Sequence, residues 1–140
     1  MLNIKFDNSH ISINDASKSK KSVLEKLALI LSDATGIDTD KIFNKLYERE
    51  KLGSTSVGNG VALPHARLKG INVPFISVVI LEEAIDFENI DDFDVDIVVC
   101  LVVPYEQTED HLELLSSLSK ILDDISSDFI LVQISNTLYC

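Results

Sequence analysis

Asp94-Val95-Asp96-Ile97-Val98-Val99-Cys100-Leu101-Val102-Val103 turns wholly apolar after its second aspartate, and most of those apolar side chains are β-branched. Branching at Cβ suits a pleated surface and restricts χ1 in a helix, so the run reads as a strand. It has no polar face to offer water, which implies cover on both sides. Phe75-Ile76-Ser77-Val78-Val79-Ile80-Leu81 reads the same way. Two such strands call for a central sheet between layers of helix. The acidic connection from Glu82-Glu83 to Asp96 carries Phe87, Ile90 and Phe93 as its expected anchors.

The helices follow from spacing. Val23, Leu27, Ile30, Leu31 and Ala34 share one face of a helix expected over Ser19 to Ala34, with Lys20, Lys21 and Glu25 facing away and Gly36 as its terminator. A second helix is expected from a cap at Thr39 through Ile42, Phe43 and Leu46 to Glu50. Thr108 can cap a third, running to Asp124 with Leu112, Leu115, Ser119 and Leu122 in one stripe. A short last helix is expected within Phe129 to Ile134. Residues 2–14 read as an extended edge segment, with His10 a solvated surface histidine. There is no internal repeat and no linker. The expectation is a single α/β domain over residues 1–140, with helices on both faces of the sheet.

Composition narrows the function classes. The 140-residue chain has a formal net charge of −11, which suits nucleic-acid phosphates poorly and would steer the domain toward basic partners. No apolar run is long enough to span a membrane, and the start Met1-Leu2-Asn3-Ile4-Lys5-Phe6 does not resemble a secretory signal. Of two cysteines, Cys100 falls in an apolar strand and Cys140 is the last residue, which argues against a disulfide scaffold and for a reducing cytoplasm.

Chemistry concentrates in Arg49-Glu50-Lys51-Leu52-Gly53-Ser54-Thr55-Ser56-Val57-Gly58-Asn59-Gly60-Val61-Ala62-Leu63-Pro64-His65. Glycines and hydroxyl residues crowd into a loop whose amides can turn toward an anion. Pro64 fixes its own φ and restricts Leu63 before it, and so stiffens the approach to His65. A neutral imidazole there is a potential nucleophile, and a histidine capping a strand or turn is the other reading. His111, third in the helix capped by Thr108, stands near the positive end of a dipole that favours the neutral ring; a polar residue on an exposed first turn fits equally. Arg49 suits phosphoryl oxygens, or a surface ion pair with Glu48 or Glu50. Arg67 and Lys69 read as a solvated turn. The loop carries no nucleotide-cradle pattern, no nucleophile elbow around Ser54, and no short-range metal spacing at His65 or His111.

Arg-Glu-Lys-Leu-Gly-Ser-Thr at 49–55, Gly-Asn-Gly at 58–60, Leu-Pro-His at 63–65 and the later Val103-Pro104…Gln107-Thr108…His111 resemble the phosphoacceptor region of enzyme IIA domains of the bacterial phosphotransferase system. The match is to the fructose/mannitol class (EIIA type 2), nearest its nitrogen-regulatory branch, over residues 20 to 125. The resemblance implies a mixed sheet and a phosphotransferase that works as a phosphoryl carrier. It makes His65 the acceptor from a histidine phosphocarrier protein (HPr- or NPr-like), His111 the second active-site histidine, and Arg49 the neutralising cation. Ser54, Thr55 and Gly60 would line the phosphoryl site, without metal or cofactor. Partners would be regulatory target proteins, or a IIB domain if the chain is a sugar-specific IIA. A binding module without phosphotransfer is the reading from another class. Ser56 departs from a glycine common in the branch, and the terminal helix, starting near Asn136 to Tyr139, is expected to be short.

Overall fold

The computed structural model describes residues 5–88 and 92–106. In chain order these form a 3-10 turn (Asn8–His10), β1 (Ile11–Asp15), α1 (Lys20–Thr35), α2 (Thr39–Lys51), β2 (Ser56–Gly58), β3 (Val61–Ala62), β4 (His65–Leu68), β5 (Phe75–Ile85) and β6 (Val95–Pro104). The strands make one mixed sheet in the order β1-β5-β6-β3-β2, with β4 also paired to β6. β6 lies at its centre, antiparallel to β5 and parallel to β3 and β4. Its near-continuous burial is what an apolar run without a wet face requires.

Alternation along the strands separates two apolar clusters. Val79, Leu81, Val98, Cys100 and Val102 join Val23, Leu24, Leu27, Leu31, Ile42 and Leu46 of the two helices. Val78, Ile80, Ile97 and Val99, pointing the other way, gather with Val61 and Leu63. The fold is thus α/β with a mixed sheet and buried apolar surface on both faces. The helices expected at 108–124 and 129–134, and the chain's last residues, lie outside the described residues, as do Met1 to Ile4.

Local signals set the helix ends. Ser19 caps α1, accepting from Ser22 N while Ser22 Oγ accepts from Ser19 N, a reciprocal capping box. Gly36 closes the helix at φ 79°, a left-handed conformation that costs a residue without a Cβ little. Asp38, rather than Thr39, is the cap residue of α2, and Thr39 opens the helix.

Several expectations are corrected. His10 is buried, not solvated: it packs between Phe6 and Phe75, and its Nδ1 is 3.0 Å from Ile76 O. β5 continues past Leu81 to Ile85 through a register shift, so Glu82 and Glu83 are strand residues with exposed side chains. Phe87 is fully buried, Phe93 is 61% exposed, and Ile90 lies outside the described residues. Lys20 does not face away, for the reason given below. Ser56 adopts no positive φ, so serine fits its backbone without strain, although its hydroxyl is buried with no hydrogen-bond partner among the described residues.

Candidate functional site

The glycine-rich loop is more ordered than its composition suggests. Asn59 and Gly60 both have positive φ, 57° and 83°, and turn β2 back on β3 as a two-residue hairpin. Gly60 O then accepts from Asp96 N and Ile97 N, which fastens the hairpin to the start of β6. From there residues 61–68 run beside β6 with a gap at Leu63-Pro64. The register is the same before it (Val61↔Ile97) and after it (His65↔Leu101). Pro64 has no N–H for the ladder, but its carbonyl accepts from Leu101 N at 3.0 Å. Leu63 N donates sideways to Thr55 O. The interruption is therefore local, and its product is His65 at the first position of β4.

His65 is half-buried, with Nδ1 3.0 Å from Leu63 O. A carbonyl only accepts, so Nδ1 carries the proton of that bond, and in the neutral ring the lone pair is on Nε2. Burial lowers the pKa of His65 below its ordinary value; the bond to Leu63 opposes this, the nearby Arg49 charge adds to it and Glu50 opposes it. The net effect keeps the imidazole neutral.

Arg49 is in the last turn of α2, where its Nη1 donates to Gly53 O at 2.8 Å. Its immediate neighbour Glu50 is not a surface partner for it. Glu50 is 4% exposed; its carboxylate accepts from Thr55 N at 3.2 Å and from the Thr55 hydroxyl. Lys20 Nζ, from the first turn of α1, approaches it at 2.9 Å, lies 3.2 Å from Glu88 and stands 5.0 Å from the Phe87 ring centre. Ser54 Oγ donates to Phe87 O at 2.7 Å and accepts from Ser56 N. One buried carboxylate thus ties α1, the end of α2 and the start of β2 together, and Arg49 rides on the same helical turn.

Arg49 lies close enough to His65 for its charge to lower the ring's proton affinity. The structure commits the hydroxyl protons of Ser54 and Thr55 to Phe87 O and Glu50. Gly60 is held five ladder positions from His65, roughly 16 Å along β6. His111 lies outside the described residues. Sequence reasoning missed Glu50 and Lys20. The signal was available, because Glu50 continues the buried i, i+4 stripe of Ile42 and Leu46, where a charge needs a partner. Cys100 is fully buried and its thiol is pushed up to about 12, which leaves it unreactive. Among the described residues, no three His, Cys, Asp or Glu side chains are placed to hold a metal, and no helix is long and apolar enough to cross a membrane.

Residues 5–135 match the family described as phosphoenolpyruvate-dependent sugar phosphotransferase system, EIIA 2. The nitrogen regulatory protein of Pseudomonas aeruginosa is 44% identical over 112 residues, covering 79% of this chain and 73% of that protein. A fructose-specific EIIA component of the phosphotransferase system from Haloferax volcanii is 34% identical over 113 residues, 80% of this chain and 73% of that protein. The crystal structure of nitrogen regulatory protein IIA-Ntr from Neisseria meningitidis superposes with a TM-score of 0.76 at 32% identity, covering 90% of this chain and 92% of that one.

Two outcomes are expected. Lys20→Ala should lower unfolding free energy in urea by about 3 kcal/mol, since it strands a buried carboxylate; a loss below about 1 kcal/mol would mean Glu50 is hydrated instead. In an NMR titration, the His65 ring should change charge below pH 6.5, because its folded pKa is depressed and the neutral form therefore persists into mild acid. A midpoint above 6.5 would remove the argument for a neutral nucleophile.

Proposed function

The chain belongs to the EIIA type 2 family of the phosphoenolpyruvate-dependent sugar phosphotransferase system, and we propose that its His65 accepts a phosphoryl group from a histidine phosphocarrier protein, HPr- or NPr-like. The observation that carries this reading is the Nδ1 to Leu63 O bond, which leaves Nε2 as the atom with a free lone pair. In the transfer, a bond forms between Nε2 and phosphorus as the donor's N–P bond breaks, and the electron pair returns to the donor imidazole. Such transfer needs positioning and charge stabilisation more than covalent assistance. Pro64 and Leu63 supply the positioning. Arg49 supplies positive charge beside the incoming oxygens.

The depressed pKa matters because a protonated His65 has no lone pair to offer. His111 enters this reading on the family resemblance, as the second imidazole that orients the phosphoryl group. Ser54 and Thr55 contribute by holding the loop that carries them, since both hydroxyls and the Thr55 amide are already engaged. Gly60 acts through the turn that sets the ladder. The protein works in the cytoplasm, and its acidic surface favours encounter with a basic carrier.

The phosphorylation state would then govern binding to regulatory targets, a role supported by the 44% identity to a nitrogen regulatory protein. The likeness to a fructose-specific EIIA supports a second reading, in which phosphate passes from His65 to a IIB domain.

With phosphoenolpyruvate, enzyme I and a phosphocarrier, the protein should acquire an acid-labile label that His65→Ala abolishes. Arg49→Ala should slow labelling roughly 10²-fold without unfolding the chain. A His65→Ala protein that still labels would refute the acceptor assignment. Passage of the label to a fructose-type IIB would decide for the second reading.

A further inference from the structure

The cations of this acidic protein are unevenly placed. A pocket of about 750 Å³ opens between the α1–α2 turn, the outer face of α2 and the far end of β4. Lys41, Lys45, Arg67 and Lys69 line it, against Asp38 as the one lining carboxylate among the described residues. The whole chain has 12 Lys and Arg against 23 Asp and Glu, so chance would favour the opposite sign here. Among the described residues Lys41, Arg67 and Lys69 form no ion pair with a carboxylate, and Lys45 has only a 3.9 Å approach to exposed Glu48. Like charges converging without counterions repel one another, and an anion in the pocket relieves that repulsion.

The pocket is also built to hold more than a bare ion. Its floor includes Ile37 and Leu68, and Tyr105 forms a wall. The Tyr105 backbone is fixed by its N–H to Leu68 O at 2.9 Å, and its ring keeps Arg67 and Lys69 in place, 5.4 and 5.0 Å from its centre. Lys41 and Lys45, one turn apart on α2, face the pocket together. The volume is in the range of small-molecule sites and far exceeds what inorganic phosphate would fill. An arginine and three ammonium groups suit the oxygens of a diphosphate, and the apolar floor suits a flat ring beside it.

We infer that this pocket is a second anion site, which takes a small molecule of nucleoside-diphosphate chemistry. It is separate from the acceptor histidine but built on the same two elements: Arg67 is two residues beyond His65 on β4, and Lys45 is one turn before Arg49 on α2. A ligand there would clamp α2 to β4 and so bear on the acceptor's surroundings. The inference does not rest on phosphoryl transfer by His65.

The test is calorimetry and amide NMR on the intact, unphosphorylated protein, with ADP, pyrophosphate and adenosine as probes in magnesium-free buffer. ADP should bind saturably, more weakly as salt rises, and shift the Lys41, Arg67, Lys69 and Tyr105 amides. Pyrophosphate should bind less tightly than ADP, and adenosine should not bind. Lys41→Gln with Lys69→Gln should weaken ADP roughly tenfold or more, while the ligand-free melting temperature stays put, which separates lost contacts from lost fold. The proposal is overturned if neither phosphate saturates, if the double variant binds ADP as the parent does, or if pyrophosphate binds as tightly as ADP. It is also overturned if a polyglutamate peptide shifts the same amides at lower concentration than ADP, which would make the surface a dock for an acidic protein. Because binding is read directly, failure here and failure of His65 labelling are independent results.

Discussion

A strand that must break at a proline without losing register is the constraint around which this structure is organised. Residues on either side of Leu63-Pro64 pair with β6 in one continuous frame, so the break cannot propagate. A slip by one residue would send Val61 and Ala62 to the wrong faces of the sheet, and both are fully buried. The frame is pinned upstream by Gly60 O at the start of β6 and downstream by Pro64 O on Leu101 N. Within that span the Leu63 carbonyl meets the His65 ring, and one bond chooses the tautomer. Backbone geometry alone therefore converts an ordinary histidine into an oriented one.

The buried carboxylate of Glu50 is the second tie, and it serves the same centre from the other side. It holds Thr55, whose carbonyl accepts from Leu63 N, so the carboxylate and the strand break share a partner. It also sets the helical turn from which Arg49 reaches Gly53. Its own charge raises the proton affinity of His65 while Arg49 lowers it. Burial outweighs both and decides the sign, so the site favours a neutral ring even beside an acid.

Much of this was legible in the residues. The unbroken apolarity of 97–103 required a central strand, and β6 is that strand. Ser19 and Gly36 marked the ends of α1 within a residue. Three things escaped for physical reasons. Asn59-Gly60 is a strong two-residue hairpin signal, but the flanking strands are too short to show alternation. Lys20 has the pattern of an outward residue, and only the three-dimensional approach of Glu50 and Phe87 draws it in. His10 is polar-flanked in sequence, yet Phe6 and Phe75 close around it across the sheet edge. Each depends on a partner distant in sequence, or on a turn no periodicity encodes. Of the candidate site, the loop from Arg49 to His65 was readable as one unit, whereas the acid that holds it, Glu50, was hidden in a helical stripe.

Long-range nitrogen–proton correlation NMR on the phosphoryl-loaded protein tests the central claim most directly, because it reports both ring nitrogens of His65 at once. The account predicts phosphate on Nε2, with Nδ1 still protonated against Leu63 O. Phosphate on Nδ1, or on any residue other than His65, would contradict it.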